Sequence, residues 1–163
     1  MADGMVVKLE GVDDLKRALA EASAAIRKKA VRGALREAGK VIQSAARAAA
    51  PVLAVPTKTR KPGTVKRAIA VRASKFARKA GDEGVFINVR PIGTSKARVA
   101  RLGKAGAANP NDPFYWRFLE FGTKKMAARP FLKAAADSKG EEAIGKFMQS
   151  VVPQIEKLNQ RKK

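Results

Sequence analysis

Phe118-Leu-Glu-Phe-Gly-Thr-Lys-Lys-Met-Ala-Ala-Arg-Pro-Phe-Leu-Lys-Ala-Ala135 is the stretch on which the reading of this chain turns. Gly122 ends a helix carrying Phe118, Leu119 and Phe121, because glycine tolerates the backbone conformation of a helix stop. Gly122-Thr123 makes a tight turn and a short basic run follows. Arg129-Pro130 then opens a second helix anchored by Phe131, proline being suited to a first helical position. A buried Glu120 needs a partner, and Arg129 is the one expected to pin the two helices together. On its residues alone the segment is a helix–turn–helix packing unit that requires no ligand.

Asp112-Pro113 supplies an N-cap and a proline for the helix before the turn. Phe114, Phe118 and Phe121, with Tyr115 and Leu119, recur at helical spacing and hold most of the aromatic content. Beyond the turn, a helix from Phe131 to about Gln149 should bury Phe131, Leu132, Ala135, Ile144, Phe147 and Met148, with Gly140 and Gly145 weakening its middle. Pro153 and the Lys157–Lys163 run read as a frayed or partner-bound end. The expected organisation is therefore one domain over residues 1–150 and a basic tail over 151–163.

Upstream, Met5–Glu10 reads as a short strand closed by Gly11. From Val12 the period changes. Leu15, Leu19, Ala22, Ile26, Ala30, Leu35, Ala38, Ile42, Ala45 and Ala49 draw one apolar stripe along a long helix that Pro51 ends. Asp13 and Asp14 suit its positive end, and Gly33 and Gly39 mark where a bend is expected. Residues 51–63 hold three prolines, Gly63 and the bases Lys58, Arg60 and Lys61, the composition of an exposed loop. Val65, Arg67, Ile69, Val71 and Ala73 share a parity, which predicts a strand from Thr64 to Ser74. Phe76–Gly84 reads as a basic hairpin or loop, and Val85–Ile92 as a strand finishing at an edge near Pro91. Residues 93–111 lack apolar periodicity and read as a mobile loop or an arm that orders on a partner.

The chain carries 35 Lys and Arg against 14 Asp and Glu, a net charge of +21. No acid lies between Glu37 and Asp82, nor between Glu83 and Asp112. Such a field attracts polyanions and repels itself unless nucleic acid or an acidic partner neutralises it. With no cysteine and no histidine, thiolate and histidine-dependent catalysis, disulfides, haem ligation and ordinary zinc sites are excluded. The acids are scattered, no phosphate-binding loop or base-reading motif is present, and no cofactor or metal is expected. No apolar run could span a bilayer, and the first residues lack a signal-peptide layout, so an intracellular product is expected.

Glu120-Phe-Gly-Thr followed by Arg129-Pro-Phe-Leu resembles the signature of the phage tail-completion family typified by gene product ten of HK-type lambdoid siphophages. Leu9-Glu-Gly-Val-Asp-Asp-Leu15, Ala50-Pro51 and Gly63-Thr-Val-Lys-Arg-Ala-Ile69 resemble the family's other segments in order. The departures are Val65 for leucine, Ala68 for serine, and a longer basic loop before Gly63. The resemblance implies an α+β fold, a long N-terminal helix on a small antiparallel sheet, with a short aromatic helix and a C-terminal helix. It implies a non-enzymatic structural virion protein at the head–tail junction, assembled in the host cytoplasm. Its implied partners are copies of itself in a six-fold ring, neighbouring neck or tail proteins, and double-stranded DNA in the lumen. Glu120, Phe121, Gly122, Thr123, Arg129, Pro130 and Phe131 are then the structural motif. Lys58, Arg60, Lys61, Lys96, Arg98, Arg101 and Lys104 are the candidates for contact with DNA or with acidic neighbours. The other reading of the same charge is a free, sequence-nonspecific nucleic-acid-binding protein.

Overall fold

The structure, a computed structural model, describes residues 12–93 and 95–160. In order its elements are α1 (Val12–Glu21), α2 (Ala24–Ala49), α3 (Thr64–Ala68), β1 (Ile69–Ala73), α4 (Lys75–Lys79), β2 (Val85–Val89), α5 (Lys96–Leu102), α6 (Trp116–Phe121) and α7 (Phe131–Gln160). The class is α+β, with two paired antiparallel strands among long and short helices. The expected strand Met5–Glu10 lies outside the described residues. The chain divides into two compact units, one of residues 12–41, Ala73–Phe86 and 139–160, the other of Ile42–Arg72 and Ile87–Ser138.

The first unit packs helix on helix around small side chains. Ala22, Ile26, Ala30 and Ala34 are buried with Val151 and Ile155, and Leu15, Leu19, Phe147 and Leu158 close around them. Alanine at the contact lets helix backbones approach closely, which is why an alanine-rich stripe still makes a core. The long N-terminal helix is interrupted, and not at a glycine. Ser23 separates α1 from α2, and its carbonyl accepts the Arg27 N–H at 2.9 Å. Serine favours such a helix start because its side chain competes for local backbone groups. At Gly33 the helix continues, since the missing side chain makes room for Gln154 and a Cβ there would overlap its amide. That amide, with donor and acceptor matched to their partners, reaches the Ala30 carbonyl at 3.3 Å and the Ala34 N–H at 3.1 Å.

Helix α7 runs through Pro153 to Gln160, well past the expected end near Gln149. An internal proline costs about 3 kcal/mol. Val151 and Ile155 on either side of it are both buried, and their packing offsets that cost. Ile144, expected in the core, is 43% exposed. Across the basic segment Phe76–Gly84, where a hairpin or loop is expected, the short helix α4 ends at Lys79 and residues 80–84 form the turn and loop that lead to β2. Ser74 caps α4 by accepting the Ala77 N–H at 3.1 Å, and Gly84 returns the chain to β2. Arg32 holds Glu83 through two hydrogen bonds of 2.6 and 2.7 Å.

In the second unit the C-terminal half of α2 lies on the sheet. Ala46 and Ala50 pack with Val65, Ile69, Val89, Phe131 and Ala135, and Tyr115, Trp116, Leu119 and Leu132 seal the edges. Gln43 and Arg47 both donate to the Ile69 carbonyl, at 2.7 and 2.9 Å. The expected strand Thr64–Ser74 starts only at Ile69, and Thr64–Ala68 is helical. Val65 and Ile69 share a parity, but they are also four apart, so a turn of helix buries both as well as a strand would. Gly63, at φ +69°, turns the chain into that helix. The Arg90 N–H donates to the Ala68 carbonyl at 2.9 Å, a pairing that sets Ile69 opposite Val89.

Candidate functional site

The turn quoted at the outset is a capping device. Glu120 is only 5% exposed, and its two carboxylate oxygens accept the N–H groups of Leu132 and Lys133, each at 2.9 Å. Those amides belong to the first turn of α7, where the helix leaves donors unsatisfied and favours negative charge. The expected Glu120–Arg129 ion pair does not form. Arg129 is exposed at its side chain and contributes its backbone N–H, which donates to the Leu119 carbonyl at 2.7 Å. Backbone amides already engage both oxygens of the acid, so its charge has partners without a guanidinium.

Gly122 has φ +73°, and a Cβ there would lie 2.9 Å from both the Ala128 nitrogen and the Met126 oxygen. Glycine is required on both counts. Thr123 and Met126 then exchange backbone hydrogen bonds of 2.9 and 3.2 Å, and the Thr123 hydroxyl accepts the Lys125 N–H at 3.2 Å. Pro130 precedes α7, and Phe131, 2% exposed, drops into the core. Phe121 and Phe118 do not join it. They are 74% and 50% exposed, whereas Tyr115, Trp116 and Leu119 face inward. The stripe of rings at helical spacing is real, but the short helix buries a neighbouring face.

Asp112 is no helix cap either. It is 2% exposed, and its oxygens accept the Ile92 N–H at 3.2 Å and the Gly106 N–H at 2.9 Å. With Asn109, whose amide donates to the Leu102 and Lys104 carbonyls, it fastens the segment that composition reads as a mobile loop. That segment contains α5. It is also tied to the proline-rich stretch, because an Arg60 Nη donates to the Ala107 carbonyl at 2.7 Å and the Thr64 hydroxyl lies 3.1 Å from the Pro110 carbonyl. Within residues 51–63, Thr57 and Arg60 pair across a two-residue tip.

Of the seven basic candidates, Lys58, Lys61, Lys96 and Lys104 are exposed. Arg60 serves packing, its guanidinium standing 4.9 Å from the Phe114 ring centre and 4.8 Å from that of Tyr115. Arg98 and Arg101 converge with Arg47, Arg67 and Arg90 on one cavity of about 330 Å³. Arg98 donates from Nη2 to the Arg90 carbonyl at 2.8 Å, while its Nε is buried without a partner among the described residues. Burial, and then the neighbouring Arg90 and Arg101, push its pKa below the ordinary arginine value, with Asp112 opposing. An arginine remains charged under such a shift. Arg47, Arg67 and Arg90 escaped the sequence reading because they come from three separated elements, and no spacing signals their meeting.

No cluster of three or more metal-ligating side chains exists among the described residues, and none of the described helices is long and apolar enough to cross a membrane. The family model described as "Bacteriophage HK97-gp10, putative tail-component" matches residues 13–122, and the chain belongs to that family. The match includes Glu120-Phe-Gly122 and ends there, so the Arg129-Pro-Phe-Leu half of the motif follows the matched span. Comparisons with curated proteins and with solved structures returned no match.

Proposed function

We propose that this phage tail component acts at the head–tail junction, as a tail-completion or neck protein forming a homo-oligomeric ring through which DNA passes. It contributes structure and performs no catalytic step. The observation that carries the reading beyond the family is the charge. A net +21 per chain, with acid-free runs spanning most of residues 38–111, would repel itself strongly in a ring of identical copies. A DNA phosphate backbone in the lumen relieves that repulsion without any reading of sequence. Exposed apolar groups support association with other copies or neck proteins. Phe118 and Phe121 on α6, and Val52 and Val55 in the proline-rich stretch, all stand more than half open or nearly so, at 50%, 74%, 54% and 71%. Six-fold symmetry is the copy number the family resemblance implies.

Particles assembled without this chain test the proposal. Filled heads and tails that fail to join, with restoration by the added protein, are the expected outcome. Normally joined particles, or a protein absent from purified virions, would overturn it. The competing reading, a free nucleic-acid-binding protein, predicts that the chain co-purifies with host DNA and stays off the particle. Mass measurement of the protein with and without its neck neighbours then reports the ring.

A further inference from the structure

We propose that the arginine-lined cavity of the second unit is a phosphate-binding site, built to hold the oxygens of a nucleic-acid backbone phosphate or of a free phosphate compound. Arg47 reaches it from α2, Arg67 from α3, Arg90 from the end of β2, and Arg98 and Arg101 from α5. No carboxylate lines it. Arg90 and Arg101 repel the part-buried Arg98, and an anion among these guanidinium groups would relieve that repulsion. None of the unit's three acids lines the cavity: Asp112 lies near enough to Arg98 to offset the repulsion in part but accepts the Ile92 and Gly106 N–H groups, Glu120 caps α7, and Asp137 is paired with Lys133.

The donors also fit the ligand. Arg98 Nε is buried and unpartnered, and the Arg90 and Arg101 side chains make no hydrogen bond or ion pair among the described residues. A planar carboxylate is satisfied by one or two arginine forks, whereas a tetrahedral phosphoryl group presents oxygens to several at once. Thr64 and Asn111 also line the cavity. At about 330 Å³ the cavity is at the small end for ligand sites. A cavity of that volume has room for a phosphate with its attached sugar, and a contact to phosphate is blind to sequence.

This inference rests on the proposed DNA path only for the source of the phosphate, so the test uses the isolated full-length chain. Calorimetric titration with pyrophosphate in phosphate-free buffer should show one saturable site, and a short DNA duplex should displace the pyrophosphate. Saturation without displacement by duplex assigns the site to a free phosphate compound, still within the proposal. Arg90 and Arg101 are exposed, so the R90Q/R101Q variant should keep the helical circular dichroism. It should bind pyrophosphate about tenfold or more weakly, the loss expected for charge-assisted hydrogen bonds, while R17Q/R27Q, with the same charge removed from the first unit, stays within about twofold. Equal weakening of both variants would mean diffuse attraction and overturn the site. So would tighter binding of an oligoglutamate peptide to the unaltered chain than of either phosphate probe.

Discussion

In the second unit polar groups finish the backbone. Glu120 caps the first turn of α7 by accepting the N–H groups of Leu132 and Lys133, Asp112 ties two loop amides, and Gly122 lets the chain double back where any side chain would collide. In the first unit closure is a matter of surface. Alanines and a few branched residues press helices together, one glycine admits a glutamine amide, and a single Arg32–Glu83 pair fastens α4 to its surroundings. The first kind of construction depends on particular atoms and the second on volume. A recognisable signature is therefore expected in the unit built from atoms, and Glu120-Phe-Gly-Thr lies there.

Substitutions can break that contrast. The largest effect should come from Phe131→Ala, which removes a buried ring and should cost about 3–5 kcal/mol in denaturant unfolding. A loss below about 1 kcal/mol would show that the ring is not part of the core. Glu120→Ala should follow at about 2–4 kcal/mol, since it strips two charge-assisted bonds from helix amides. Hydrogen exchange at Leu132 and Lys133 should accelerate with it. If Arg129→Ala proved as costly as Glu120→Ala, the capping account would fail. In the first unit Gly33→Ala should change stability by less than about 1 kcal/mol, because the flexible Gln154 amide can swing aside and alanine's helix preference of about 1 kcal/mol offsets its lost contacts.

The smallest effect concerns acid. The Arg32 hydrogen bond and charge hold Glu83 below the usual glutamate pKa, with burial opposing. A lowered carboxylate stabilises the fold above its unfolded pKa and loses that contribution as pH falls through the lowered value. Glu83→Gln should therefore narrow the stability difference between neutral and acidic solution, and thermal melts below pH 4.5 should come to match those of the parent chain.

Periodicity made α2, β2 and the start of α7 legible, because each buries a repeating face, and it placed α6 from a ring stripe that the helix leaves exposed. It failed where two periods coincide, as at Val65 and Ile69, and where the apolar face is very short, as in α5, whose Val99 and Leu102 stand among Lys96, Arg98 and Arg101. The helix beyond Gln149 was hidden by Pro153, whose local cost is outweighed by contacts distant in sequence. Glu120 was read as important for a partner it does not take. An unsatisfied backbone amide leaves no mark in sequence, whereas a nearby arginine does. The cavity was invisible for the same reason, its arginines being ordinary surface bases until the fold gathers them.

Two small turns in the second unit share a construction. Thr57 with Arg60, and Thr123 with Met126, each pair their backbones across a two-residue tip, and the tips carry Lys58 and Lys124-Lys125. A lysine on a slack loop must surrender backbone freedom as well as side-chain freedom when it grips something, about 1–2 kcal/mol per residue for the backbone alone. On these tips the backbone part is settled during folding. Only the side-chain freedom of these lysines is left to be lost on contact.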